Sequence, residues 1–222
     1  MRAETLKPTI NVLLVEDHPM FRERLASVIS KRGDMTVCGE ADNVNDALRF
    51  AETLHPDIAI MDITLRGSNG LDFLKDLKAR GIELPVLVLS MHDEAIYAER
   101  VLRAGARGYI TKYEASAEVM VAIEQVLSGE IYLSRQMTSR MLGRFSVGKK
   151  EDANEVSGLT DRELDVFQRI GRGETPRDIA GSLHVGITTI DTYRARIKEK
   201  LGLKSGNELH RRAMEWVQAN PA

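Results

Sequence analysis

Short apolar runs alternate with amphipathic segments of helical length over the first 128 residues. The apolar runs are rich in β-branched residues and predict strands near residues 10–15, 35–40, 57–61, 84–89 and 108–110. The segments after them repeat apolar residues at helical spacing and predict helices near residues 19–32, 44–54, 70–80, 93–104 and 115–128. Because crossovers of this length join parallel strands, the pattern predicts an α/β fold with a doubly wound parallel sheet.

The pattern changes after this region. An amphipathic helix is predicted over residues 134–145, and the polar stretch 146–155 lacks any apolar period, which indicates a flexible linker. The rest of the chain is dense helix, in which Thr160 and Glu163 predict a capping box and Thr175-Pro176 predicts a second helix start. Two short helices joined by a tight, glycine-containing turn predict a helix-turn-helix within a four-helix, all-α domain. We therefore assign an α/β domain, a linker and an all-α domain to residues 7–128, 129–157 and 158–222.

The composition is typical of a globular protein, and the lengths of the apolar stretches indicate where in the cell the protein is found. Hydrophobic residues make up 43% and charged residues 29% of the chain. The apolar stretches are shorter than a membrane-spanning helix and the N-terminus lacks the pattern of a secretory signal, so we expect a cytoplasmic protein with no membrane partner. Cys38 is the only cysteine, so it cannot form an intrachain disulfide and is expected to be a reduced thiol.

Charge is distributed unevenly along the chain. Residues 1–128 contain 15 Lys and Arg against 20 Asp and Glu, whereas residues 159–222 contain 11 against 9. A mild basic excess in the C-terminal domain is compatible with nucleic-acid binding.

Reactive side chains follow four of the five predicted strands. Glu16 and Asp17 come after the first strand, Asp62 after the third, Ser90 after the fourth and Lys112 after the fifth. The carboxyl ends of parallel strands lie along one edge of a sheet, so these side chains are expected to share a crevice. Clustered carboxylates need a cation and suit Mg²⁺, while a lysine and a hydroxyl can bind phosphoryl oxygens. The sequence therefore predicts a site that receives a phosphoryl group.

With these residues in this order at strand ends, residues 10–128 resemble the receiver domain of bacterial response regulators. Residues 158–218 resemble the helix-turn-helix output domain of the NarL/FixJ, or LuxR-type, subfamily. The resemblance implies a flavodoxin-like (βα)5 receiver domain and a C-terminal four-helix helix-turn-helix domain. It also implies that the protein is not an enzyme, apart from at most a slow removal of its own phosphoryl group.

The resemblance assigns a role to each residue of the crevice. Asp62 falls at the phosphoacceptor position, and Lys112, Ser90 and Tyr109 at the lysine, switch hydroxyl and switch aromatic positions. Mg²⁺ would be bound by Glu16, Asp17, Asp62 and the backbone carbonyl of Thr64. On phosphorylation, Ser90 would move toward the phosphoryl group and Tyr109 would rotate inward.

The partners implied are a sensor histidine kinase, double-stranded promoter DNA and a second copy of the chain. Inward packing of Ile190, Ile197 and Leu201 would turn the other face of the third output helix toward DNA. The candidate contacts are Thr188, Thr189, Thr192, Arg194, Arg196, Lys198 and Lys200. Thr192 and Arg196 are the best candidates for base edges, and the lysines and Arg194 for phosphates. Asp191 stands where the family commonly has lysine; it either accepts from a cytosine or closes a capping box with Thr188.

Two other functions remain open on sequence grounds. An enzyme on a flavodoxin-like fold is disfavoured, because no second aspartate follows Asp62 at the spacing of haloacid-dehalogenase phosphatases and no glycine-rich loop follows the first strand. A receiver used only for docking is disfavoured by the acidic pair Glu16 and Asp17 together with Lys112. Phosphoryl labelling distinguishes these functions.

Overall fold

The computed structural model describes residues 9–65, 68–91, 94–147, 155–183 and 185–219. The chain forms two compact units, divided between Ser134 and Arg135. Among the described residues, no helix is both long and apolar enough to cross a membrane.

The first unit is a five-stranded parallel sheet with helices on both faces, as predicted. Its strands are β1 (Ile10–Val15), β2 (Met35–Ala41), β3 (Ile58–Asp62), β6 (Val86–Ser90) and β7 (Gly108–Thr111). Its helices are α1 (Pro19–Ser30), α2 (Val44–Leu54), α3 (Gly70–Arg80), α4 (Glu94–Ala104) and α5 (Ala115–Leu127). The strands are ordered β2-β1-β3-β6-β7. Between β3 and α3 lies a small antiparallel hairpin of β4 (Thr64–Leu65) and β5 (Ser68–Asn69), whose strands are too short to show a period in the sequence.

The sheet buries β3 and β6 along their full lengths and most of β1, and it aligns the carboxyl ends of these strands. Side chains of β1, β3 and β6 form the core together with apolar residues of α1 and α5. Asp62 pairs in register with Leu89, and Ser90 with Thr111. This register places the ends of β3, β6 and β7 at one edge, where the sequence predicts the functional crevice.

The boundary between the units lies beyond the predicted end of the α/β domain. Residues 129–134, which we assigned to the linker, belong to the first unit, because Tyr132 forms a parallel bridge with Gly108 and packs against the core. A bridge of one residue has no period, so the sequence pattern did not reveal it. The helix predicted over 134–145 is α6 (Arg135–Val147), and a 3₁₀ turn spans Glu155–Gly158. Residues 148–154 of the predicted linker, and the assigned ends 7–8 and 220–222, lie outside the described residues.

The second unit contains the four predicted helices. These are α7 (Asp161–Gly171), α8 (Pro176–Ser182), α9 (Ile187–Lys200) and α10 (Gly206–Ala219). Both predicted helix starts are present: the hydroxyl of Thr160 caps α7 in a capping box with Glu163, and Thr175 caps α8 with Pro176 in its first turn. Buried apolar residues from all four helices form the core: Leu164, Phe167, Ile179, Ile190, Ile197, Leu209 and Ala213.

Candidate functional site

The predicted crevice contains a lysine between two buried carboxylates. Lys112 follows β7, and its Nζ lies 2.6 Å from Oδ2 of Asp62 at the end of β3. The same Nζ lies 2.6 Å from Oε2 of Glu16, which follows β1. The exposed fractions of the three side chains are 5%, 4% and 3%. The three strands thus form one nearly water-free charged cluster, as the sequence indicated.

A histidine that we did not predict joins this cluster. Nδ1 of His18 lies 2.9 Å from Oε1 of Glu16 and 2.9 Å from Oδ1 of Asp17. Four residues each place one potential metal-ligand atom within 4.8 Å of the others: Glu16, Asp17, His18 and Asp62. Three carboxylates are a donor set that fits Mg²⁺, so the residues present suit the ion that the resemblance implies. The only sequence signal for His18 is its place directly after the acidic pair.

The loop after β3 is held closely against Asp62. The backbone N–H of Thr64 donates to Oδ1 of Asp62 at 3.2 Å, and the N–H of Gly70 donates to the carbonyl of Ile63 at 2.7 Å. A Cβ on Gly70 would lie 2.5 Å from the carbonyl oxygen of Asp62, so only glycine allows α3 to begin here. Gly70 therefore positions the loop that carries Thr64, a role that the sequence analysis missed.

Burial and charge shift the pKa values of the cluster in a definite pattern. Burial, together with the nearby charge of Glu16, raises the pKa of Asp62 to about 6, although Lys112 and the Thr64 N–H oppose the rise. Burial would lower the pKa of Lys112, but Asp62 and Glu16 outweigh it and raise that pKa. The Phe21 ring centroid lies 4.6 Å from Nζ of Lys112 and adds a cation–π contact. Lys112 is therefore held as a cation beside Asp62.

Ser90 and Tyr109 lie next to this cluster, and both are completely buried. The backbone N–H of Lys112 donates to the carbonyl of Ser90 at 2.8 Å, which ties the ends of β6 and β7 together. The side chains of Ser90 and Tyr109 are hydrogen-bonded, while burial raises the pKa of Tyr109 well above its ordinary value. Tyr109 is thus held inside the first unit, next to Ser90.

Helix α9 presents a polar face to solvent, opposite buried Ile190 and Ile197. Most of the predicted DNA contacts lie on this face: Thr188, Thr192 and Arg196 are exposed, and Thr189, Arg194 and Lys198 are partly exposed. The hydroxyl of Thr192 donates to the carbonyl of Thr188 at 2.9 Å.

Asp191 does not form the predicted capping box with Thr188. The N-cap of α9 is Gly186, two residues before Thr188, and no side chain caps it. Asp191 instead accepts from Nη1 of Arg194 at 3.0 Å. The prediction is wrong because the helix begins earlier than the capping-box spacing assumed.

Lys200 differs from the other predicted contacts. Its Nζ donates to Oε2 of Glu163 at 2.6 Å, and Glu163 also accepts from the backbone N–H of Thr160 at 2.7 Å. Burial would raise the pKa of Glu163, but Lys200 and Thr160 outweigh it and lower that pKa. Lys200 therefore joins the C-terminal end of α9 to the start of α7.

Comparison with known proteins agrees with both units. Residues 12–124 match the family model described as response regulator receiver domain, and residues 157–213 match that of bacterial regulatory proteins of the luxR family. The chain is a response regulator of the NarL/FixJ family. Its first unit is therefore the receiver domain, and its second unit contains the LuxR-type output domain.

Known relatives of this response regulator match along most of its length. The virulence factors putative positive transcription regulator BvgA of Bordetella pertussis is 34% identical over 89% of this chain and 93% of BvgA. The nitrate/nitrite response regulator NarL of Escherichia coli is 31% identical over 93% of this chain and 94% of NarL. RcsB from Salmonella enterica serovar Typhimurium, solved bound to promoter P1flhDC, has a TM-score of 0.63 and 21% identity and covers 95% of this chain and 99% of its own. That likeness shows the shared fold.

Proposed function

We propose that this response regulator accepts a phosphoryl group on Asp62 from a sensor histidine kinase and thereby controls promoter binding by its output domain. The proposal rests on the position of Lys112. Its Nζ lies 2.6 Å from a carboxylate oxygen of Asp62 and 2.6 Å from one of Glu16, inside a buried acidic cluster. In the transfer, a carboxylate oxygen of Asp62 forms a bond to phosphorus. The P–N bond of the kinase phosphohistidine breaks, and its electron pair returns to the imidazole.

Different residues of the cluster would neutralise or bind different oxygens of the phosphoryl group. Lys112 already contacts Oδ2 of Asp62 and can follow the negative charge onto the phosphoryl oxygens. The hydroxyl of Ser90, from the neighbouring strand end, can donate to another of those oxygens. Glu16, Asp17 and the carbonyl of Thr64 would hold Mg²⁺, which when bound neutralises phosphoryl charge at this site.

Labelling with acetyl phosphate tests this proposal. Wild-type protein with Mg²⁺ should gain one phosphoryl adduct by intact mass, and Asp62→Asn should gain none. The matched control is Asp72→Asn, because Asp72 is an exposed carboxylate on α3; it should be labelled like wild type. A wild-type protein that takes no label would instead favour a receiver used only for docking.

For the output, we propose that the regulator binds promoter DNA as a homodimer in the cytoplasm, with α9 in the major groove. BvgA is named a transcription regulator and RcsB was solved on a promoter, which supports this assignment. Thr192 and Arg196 would read bases, with Thr188 and Thr189 beside them, while Arg194 and Lys198 would bind phosphates. We leave Lys200 out of this set, because Glu163 binds its ammonium.

Arg196→Ala should weaken binding to the preferred duplex by about 1–3 kcal/mol, the usual value of an arginine that reads a base. Fluorescence anisotropy on a duplex selected from a random-sequence library measures this loss. Arg211→Ala removes the same charge from an exposed site on α10 and should have a much smaller effect. Equal losses in the two variants would mean that Arg196 contributes only its charge.

A further inference from the structure

Residues 130–134, here called the strap, follow α5 and run along the open edge of the receiver sheet. The N–H of Tyr109 donates to the carbonyl of Tyr132 at 3.0 Å, and the N–H of Tyr132 donates to the carbonyl of Arg107 at 3.0 Å. A Cβ on Gly108 would lie 3.1 Å from Cβ of Tyr132, so the glycine permits this close approach. The strap thus satisfies backbone groups of β7, the edge strand.

The end of the strap is tied to the start of α4. The N–H of Ser134 donates to Oε1 of Glu94 at 2.9 Å, and its hydroxyl donates to Oε2 of the same carboxylate. Glu94 is the first residue of α4, four positions after Ser90. Both oxygens of one carboxylate therefore hold Ser134, which directly precedes α6 and the second unit.

Two further bonds tie the strap to α5. The hydroxyl of Tyr132 donates to Oε2 of Glu118 at 3.1 Å, and Nε2 of Gln125 donates to the carbonyl of Ile131 at 2.8 Å. These bonds hold the strap against α5, the helix that directly precedes it. The bonds to α4 and β7 connect the strap to elements that border the phosphorylation pocket.

Both of those contacts lead back to Ser90. Tyr109 donates its backbone N–H to the carbonyl of Tyr132 in the strap, and its side chain is hydrogen-bonded to Ser90. Glu94, which holds Ser134, begins the helix that follows Ser90. If Ser90 turns its hydroxyl to a phosphoryl group on Asp62, it gives up its bond to Tyr109. The strap then loses the support that Ser90 gives to one of its anchors.

We propose that Tyr132 and Ser134 are positioning residues that transmit the state of the phosphorylation pocket to the chain entering the second unit. This inference rests on the proposed phosphorylation of Asp62. In the unphosphorylated receiver the strap is held on Tyr109 and Glu94. Phosphorylation moves these anchors and frees Ser134, which changes the tether of the output domain and its affinity for DNA.

The decisive quantity is the ratio of DNA affinities with and without phosphorylation, measured by anisotropy alongside intact-mass labelling. Ser134→Ala should be labelled like wild type, yet its ratio should fall at least fivefold. Ser134→Thr keeps the hydroxyl and should keep the ratio. Ser128→Ala is the matched control, because the Ser128 hydroxyl donates locally, to the carbonyl of Gln125 at 2.7 Å; it should also keep the ratio.

Hydrogen exchange in wild-type protein provides a test that needs no variant. The amides of Tyr109, Tyr132 and Ser134 should exchange faster once Asp62 is phosphorylated. The proposed role of the strap would be wrong if exchange at these amides were unchanged, or if labelled Ser134→Ala kept the wild-type ratio of DNA affinities. Either result would leave the phosphorylation proposal standing. Failure of the wild-type protein to take label would overturn both.

Discussion

Gly171→Ala should strongly destabilise the output domain, with a loss of about 3 kcal/mol in the free energy of unfolding, the upper end of the usual cost of overpacking. Gly171 is the last residue of α7, and a Cβ there would lie 2.4 Å from the carbonyl oxygen of Ala213 and 2.6 Å from Cγ2 of Val217. One of these neighbours is backbone of α10, so the contact cannot be relieved by a rotamer change. The two helices would have to separate.

Urea unfolding followed by tryptophan fluorescence measures this loss. Trp216 is the only tryptophan in the chain and packs edge-to-face on Phe167, so its signal reports the output domain. Gly181→Ala in α8 is the control, because no described atom beyond its chain neighbours and the nearby backbone of α8 lies within 4 Å of the added Cβ. It should be neutral or stabilising by up to about 1 kcal/mol. A wild-type midpoint for Gly171→Ala would contradict the close packing of α7 on α10.

Asp62→Asn should stabilise the receiver at pH 8 without Mg²⁺ by up to about 3 kcal/mol, with a smaller gain at pH 5. The folded-state pKa of Asp62, about 6, lies above its ordinary value of 3.8. The favourable contribution of Asp62 is therefore complete below its unfolded-state pKa and is lost as the pH rises through 6. At pH 8 the buried carboxylate is charged and costs stability, a cost that asparagine avoids. Loss of the contact with Lys112 offsets part of the gain.

Denaturant unfolding in EDTA at the two pH values, followed by far-UV circular dichroism, measures this difference. Asp72→Asn serves as the control, because it removes an exposed carboxylate from the same domain and should give no gain of this size at pH 8. An Asp62→Asn variant less stable than wild type at both pH values would show that the attraction of Lys112 exceeds the cost of burying Asp62.

The sequence alone was enough to predict the five strands of the parallel sheet, the helices and the edge where the reactive residues meet. These features depend on local periodicity and on short-range rules, such as capping by Thr160 and the alignment of parallel strand ends. Asp62, Glu16 and Lys112 could be grouped because each follows a strand directly. The exposed face of α9 followed in the same way from the helical spacing of Ile190 and Ile197.

Tertiary structure alone decided the contacts between residues far apart in the chain. Lys200 meets Glu163 across 37 positions, and Ser134 meets Glu94 across 40, with no periodic signal at either place. Gly171 reads in the sequence as a helix end, yet its requirement for glycine comes from the backbone of α10. Such contacts depend on how helices and strands pack, and local preferences do not encode packing distances.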